Sequence, residues 1–308
     1  MPEPINFIEP RGLLGRALFA YAAGDAFGVG YEFLKEPRTV DRLRLAPRSE
    51  SSSEENEPWP LGGVSDDTLL TQISIASMSS GKKGAELGAE FLTRLHAAMP
   101  ELRGLGPTTR KALGLSLRDD EVSNGRSNGA MMRTALIGAS FTASQAEERR
   151  ATVYHLAAAT HSDSSAQYAA LALSAVFSAA YENSNVIPDQ VITVEHNSLL
   201  DSQYSVEEDW LQQILDYVPP ALGTSLDPLD TLGAILYVTR HTHDVQENYY
   251  MSCELGGDTD TVGALAGGLG ALRFRNDVLG DIPWFSEVNW SEVPHLQEFA
   301  DILEGLRG

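Results

Sequence analysis

The chain is poor in cysteine and in basic residues, and it lacks a long apolar run. Its one cysteine, Cys253, excludes an internal disulfide and a thiolate zinc cluster and fits a reducing compartment. Lys and Arg number 22 against 43 Asp and Glu, a formal charge of −21. General phosphate-backbone binding and adhesion to anionic membranes both draw on surplus cation, so nucleic acid and membrane surfaces are disfavoured as partners. The most apolar stretch, Ala166 to Tyr181, is shorter than the roughly 20 residues of a bilayer span and is dominated by Ala and Ser. It predicts a buried helix, and no membrane segment is expected. The first residues carry acids and prolines where a secretory leader has a basic start and an apolar stretch, so a cytoplasmic setting is expected. No phosphate-binding loop, His-Glu-x-x-His pair or Gly-x-Ser-x-Gly elbow is present, which removes the commonest nucleotide, zinc-protease and serine-hydrolase readings.

What is present is helical periodicity. With 43% hydrophobic residues the chain has ample material for a core, and no composition break divides it, so one domain over 1–308 is expected. Leu14, Leu18, Tyr21, Ala22 and Ala26 recur at spacings of three and four and run into Gly28-Val29-Gly30, a stop that places Asp25 and Glu32 near a helix C-terminus. Similar patterns cover 66–77, 85–98, 108–115, 131–138, 146–159, 166–181, 206–217, 228–241 and 259–274. Alternating β-branched residues are confined to the short Val191 to Val194, so the fold class is all-α, a compact bundle. The Ser- and Glu-rich stretch from Arg48 to Gly63 reads as an exposed loop that shapes access to a neighbouring site.

Two segments place paired carboxylates and a hydroxyl after glycines and before an apolar helical run: Ser65-Asp66-Asp67 and Asp258-Thr259-Asp260-Thr261. Helix capping is one account, since Ser and Asp satisfy free N–H groups at helix starts. It leaves the doubling unexplained, because a cap needs one carboxylate and two repel. A divalent cation removes that conflict, and an all-oxygen set suits Mg²⁺, Mn²⁺ or Ca²⁺. The second segment is no EF-hand, because Val262 and Leu269 occupy its fifth and twelfth positions. The glycines at 267, 268 and 270 follow no strand and read as helix-packing positions. Ser123 to Ala130 repeats a small-polar, Asn, Gly unit before a helix, which is either an anion-binding helix start or a plain turn. Asp25 is either a turn hydrogen-bonder or part of a site, as is Glu32. His161, after an Ala-rich helix, is by itself more often structural.

In chain order, GDAFGVGYE, GGVSDDT, GLGPTTRKAL, SNGAMMR, a TH pair before an Ala-rich helix and GGDTDTVGALAGGLGA resemble the ADP-ribosylglycohydrolase family. These are all-α dimetal hydrolases that include dinitrogenase-reductase-activating glycohydrolase. The resemblance spans about 12–274. It implies a metal-dependent hydrolase that cleaves the glycosidic bond of ADP-ribosylated protein side chains and releases ADP-ribose, with arginine as first acceptor. It implies two divalent cations, Mg²⁺ or Mn²⁺, ligated by Ser65, Asp66, Asp67, Asp258, Asp260 and Thr261. Catalytic roles fall to Glu32, Asp66 or Asp260, and substrate contacts to Ser127, Asn128, Gly129 and His161. Asp25 is implied to order the first motif. An ADP-ribosylated protein is the implied partner, and nucleic acid enters only as an ADP-ribosylated substrate. Some arginine-directed members carry an acid immediately before the Leu/Ile-Gly pair, where this chain has Gly104. The alternatives are a hydrolase of ADP-ribosyl-serine, O-acetyl-ADP-ribose or ADP-ribosylated nucleic acid, and a non-catalytic, crystallin-like ADP-ribose-binding protein.

Overall fold

Three helices carry apolar or small residues on nearly every face, and each lies inside the protein, as such all-round patterning requires. In the computed structural model, which describes residues 10–34, 39–48, 59–117 and 123–307, these are α1 (Gly12–Gly28), α7 (Ser164–Glu182) and α12 (Thr259–Arg273). Around them, in chain order, stand α2 (Asp66–Met78), α3 (Ala85–Ala98), α4 (Pro107–Ala112), α5 (Gly129–Thr134), α6 (Ala146–Ala158), α8 (Pro188–Leu200), α9 (Trp210–Leu215), α10 (Pro228–His241), α11 (Val245–Leu255) and α13 (Leu296–Arg307). The surface helices show the narrower stripe expected of them. In α3, for example, Leu87, Phe91 and Leu95 are buried at four-residue spacing. Among the described residues there is no strand, only an isolated parallel bridge between Thr224 and Gly257. None of the described helices is long and apolar enough to cross a membrane.

The most intimate packing is between α1 and α12. A Cβ on Gly24 would stand 2.1 Å from the Gly263 carbonyl oxygen, and one on Gly28 would stand 2.4 Å from the Asp260 Cα. Small residues on both helices therefore let the two backbones touch, and this contact brings Asp25 of α1 beside the start of α12. The packing role expected for Gly267, Gly268 and Gly270 holds: they face Tyr249, Tyr21 and Asn248, at distances where a side chain would crowd those neighbours.

The alternating Val191–Val194 stretch is helical, inside α8. Pro188 opens that helix, and Ile192, Glu195, His196 and Leu199 form its buried stripe at three- and four-residue spacings. α11 and α13 were absent from the periodicity reading. The first announces itself locally instead, because the Asp244 side chain accepts the Glu247 N–H at 2.6 Å, an N-cap bond. The expected helix over 131–138 breaks into α5 and a 3₁₀ turn at Leu136–Ser140, and that over 206–217 shrinks to α9.

Candidate metal centre and pocket

The start of α2 is held by two groups. Ser65 is its N-cap, accepting the Asp67 N–H at 3.1 Å. Asp25, reaching across from α1, accepts the Ser65 N–H at 2.9 Å, the Thr68 N–H at 3.1 Å and the Thr68 hydroxyl at 2.5 Å. Asp25 therefore orders the Ser65-Asp66-Asp67 segment, where the resemblance implies that it orders its own GDAFGVGYE motif. The cause is the α1–α12 contact, which leaves the end of α1 facing α2. With the Asp67 and Thr68 N–H groups at the start of α2 served by Ser65 and Asp25, capping does not account for the Asp67 carboxylate. Asp67 receives hydroxyls from Ser65 (3.1 Å) and Thr261 (3.4 Å) on Oδ2, while its Oδ1 is buried without a partner.

The Asp67–Thr261 contact joins the two acidic motifs across 194 residues of chain. Gly256 and Gly257, both at positive φ (72° and 76°), turn the backbone from α11 into α12. A Cβ on Gly257 would lie 2.0 Å from the Thr224 carbonyl oxygen, so the turn can press against the 224 loop only as glycine. Asp258 occupies the N-cap position of α12 but makes no cap bond, and instead accepts the Asn128 side-chain amide, which also reaches Thr231 (2.9 Å). Asp260 accepts the Thr261 N–H at 2.9 Å. Glu32, in the turn after α1, completes the group: oxygens of Glu32, Asp258 and Asp260 lie within 4.8 Å of one another. Arg48 donates to Glu32 Oε2 at 3.2 Å while its guanidinium lies over the Trp59 ring at 4.0 Å.

These groups line one pocket. Glu32, Asp66, Asp67, Asp258, Asp260 and Thr261 form its acidic wall, and Ser127, Asn128 and Gly129 also face it, with Gly104 and Leu226 contributing. Burial first, and then the charge of Asp260, push the Glu32 carboxyl up to about 8 and the Asp25 carboxyl up to about 7. The same two causes raise Asp66, Asp67 and Asp258 well above the carboxylate range. A cluster of carboxylates that destabilise one another, with a buried oxygen left unpartnered, is a donor set that fits a hard divalent cation. The triad Glu32, Asp258 and Asp260 could hold such an ion.

The model of the family described as ADP-ribosylglycohydrolase matches residues 13–307. The chain belongs to the ADP-ribosylglycohydrolase family. A solved structure described as an ADP-ribosylglycohydrolase-related protein complex aligns over 96% of this chain and 99% of that chain, with a TM-score of 0.71 and 20% identity, and so shares the fold. No curated protein matches the chain. The family's extent passes the expected limit near 274 and takes in α13. That helix is tied to the start of α1, since Glu304 accepts the Leu14 N–H at 3.0 Å.

Most of the residues singled out in the sequence converge on this pocket, and two stand back from it. Ser65 lies behind Asp67 as a cap. His161 is fully buried and stands behind the pocket wall, with the Ser127 hydroxyl 2.9 Å from its Nε2 and Gly129 beside its ring. The helix after the Asn-Gly repeat, α5, has only six residues and thus little aligned dipole to offer an anion. Sequence reasoning missed Arg48 and Trp59, which sit at the two edges of the Ser/Glu-rich stretch. It also missed the loop carrying Thr224 and Leu226, whose neighbours in space are far off in sequence. The access loop proposed over 48–63 has its centre, 49–58, outside the described residues.

The raised carboxyls fix the sign of a pH effect. Asp25 and Glu32 bind protons more tightly in the folded protein than their ordinary values of 3.8 and 4.5. Between about pH 4 and 8 the metal-free folded state therefore holds more protons than the unfolded state, and its stability falls as pH rises. Thermal melts with a chelator present should show Tm decreasing from pH 5 to pH 8, and excess Mg²⁺ or Mn²⁺ should flatten or reverse that slope.

Proposed function

We propose that the chain is a divalent-cation-dependent hydrolase that cleaves the bond between ADP-ribose and a modified protein side chain, with arginine as the first acceptor to test. What carries this reading is the convergence of Asp67 and Thr261, from the two distant acidic motifs, on one pocket that Asn128 and Gly129 also line. Two ions, Mg²⁺ or Mn²⁺, would be held by Asp66, Asp67, Asp258 and Asp260 with the hydroxyl of Thr261, and by Glu32 where it is not the base, while Ser65 stays behind Asp67 as a cap. When bound they supply positive charge that anchors ribose hydroxyls and acidifies a water.

The chain's own groups do the rest. Asn128 fixes the orientation of Asp258 by its amide bond, and Asp25 fixes that of Asp66 and Asp67 through the backbone of α2. Glu32, partly exposed on the pocket wall, is placed to accept the proton of the attacking water, a role that Asp66 or Asp260 takes if Glu32 serves as a ligand. The carboxylate wall also faces the positive charge that develops on the ribose as the bond breaks. Gly104, at φ 80° and with the position of a Cβ only 3.0 Å from Asp66 Oδ1, leaves no side chain at that point to select the acceptor. The acid that some arginine-directed members carry there is missing, which weakens the arginine assignment and makes the acceptor a matter for direct test.

Arginine-, serine- and nucleic-acid-linked ADP-ribose should be offered in parallel. Release of ADP-ribose from the arginine conjugate is expected, abolished by a chelator, restored by Mg²⁺ or Mn²⁺ and absent in Asp258→Ala. Release that survives exhaustive chelation would overturn the metal-dependent reading. Preference for the serine or nucleic-acid conjugate would reassign the acceptor.

A further inference from the structure

Arg133 is 1% exposed, and no carboxylate among the described residues pairs with it. Its guanidinium donates to the carbonyls of Gly129 (3.0 Å) and Leu156 (2.8 Å) and to the Thr160 hydroxyl (2.8 Å), and it lies over the Phe91 ring. Thr160 Oγ1 is in turn 2.7 Å from His161 Nδ1, and His161 Nε2 is 2.9 Å from Ser127 Oγ. The row thus runs from a buried cation to a hydroxyl on the pocket wall.

The direction of each bond in this row follows from what each group can do. A guanidinium donates and never accepts, so Thr160 accepts from Arg133. Thr160 has one proton, and of its two partners only His161 Nδ1 can take it. The reverse arrangement, with Nδ1 protonated, leaves the Thr160 proton without a protein acceptor among the described residues. His161 is buried and neutral, since burial and the nearby Arg133 charge push its pKa well below the ordinary range. A neutral ring whose Nδ1 accepts carries its proton on Nε2, and that proton goes to Ser127. Ser127 Oγ therefore accepts from behind, and its own proton is left to point into the pocket. Were the ring reversed, Ser127 would spend its proton on Nε2 and present only lone pairs.

We propose that Arg133, Thr160 and His161 are positioning residues that pass hydrogen bonds in one direction, so that Ser127 faces the pocket as a donor to an anionic acceptor of a ligand. The identity of that ligand as an ADP-ribose conjugate rests on the hydrolase reading above, whereas the bond order rests on the four side chains alone. It assigns His161 a place behind the site, acting through Ser127, and gives the unpaired Arg133 charge a function: to polarise the row toward an anion.

Two measurements test this on the full chain. Long-range ¹H–¹⁵N spectra should show His161 protonated on Nε2, and Thr160→Val should destroy that fixed order. ADP-ribose affinity, measured by calorimetry with Mg²⁺ present, should fall about tenfold in Thr160→Val and in Ser127→Ala, the scale of one hydrogen bond to a charged group. The double variant should bind no more weakly than Ser127→Ala alone, because Thr160 works only through Ser127. A His161 ring protonated on Nδ1, an unchanged affinity in Thr160→Val, or losses that multiply in the double variant would each overturn the proposal. If the unaltered protein fails to bind ADP-ribose, the hydrolase reading falls, and the ring spectrum still decides the bond order by itself.

Discussion

Asp260→Asn should remove about 10²- to 10³-fold of the hydrolytic rate and, in the same protein, raise the melting temperature measured with a chelator. The two effects have one origin. The charge of Asp260 raises the carboxyls of Asp25, Glu32, Asp66, Asp67 and Asp258, so in the absence of a cation it opposes folding. Asparagine keeps the shape and an acceptor oxygen for the Thr261 N–H but deletes the repulsion. With saturating Mg²⁺ or Mn²⁺ the order should invert, because the unaltered protein gains binding energy that the variant has lost. Melting curves of both proteins in chelator and in metal, beside rates on an ADP-ribosylated substrate, check this crossing. A variant less stable than its parent in both conditions would mean that Asp260 is a structural cap and no part of a cation site.

Gly24→Ala is expected to be strongly damaging, because the added methyl meets backbone on the facing helix. Its Cβ would fall 2.1 Å from the Gly263 carbonyl oxygen and 2.9 Å from the Ala264 nitrogen, backbone atoms that cannot move aside as a flexible side chain would. Overpacking of this kind costs about 3 kcal/mol or more, which for a chain of this size lowers the Tm by about 6 °C or more. Because α12 carries Asp260 and Thr261 and the turn after α1 carries Glu32, cation affinity should drop together with stability. Gly305→Ala in α13 is the control: nothing lies within 4 Å of its added methyl, and the change should be neutral or slightly stabilising. Equal melting temperatures for Gly24→Ala and the parent would show that the two helices sit farther apart than described.

Why some of this was readable in the sequence and some was not comes down to distance along the chain. α1, α3, α10 and α12 follow from apolar spacing within one window, and their observed bounds fall within a residue or two of the expected ones. α13 carries an equally clear stripe, Leu296, Ala300 and Leu303, but it follows a run of 3₁₀ turns with no regular period to lead into it. At the site, the acidic motifs stood out because a doubled carboxylate conflicts with a local cap, a contradiction visible without coordinates. The partners of those acids did not. Asn128 and Asp25 are visible as residues, but the pairings of Asn128 with Asp258, Arg48 with Glu32 and Asp25 with the start of α2 span 130, 16 and 40 residues, and nothing local marks those contacts. His161 was visible as a residue but its station was not, since only the third dimension places Ser127 between it and the pocket.

The bond between Thr261 and Asp67, closing a span of 194 residues, has a bearing on biosynthesis. Loops of that length close slowly, and no shorter segment contains both halves of the acidic wall. A chain still emerging from the ribosome therefore cannot close the acidic wall until residues 258–261 have been made, and any fragment ending before residue 258 leaves Asp66 and Asp67 without their counterpart.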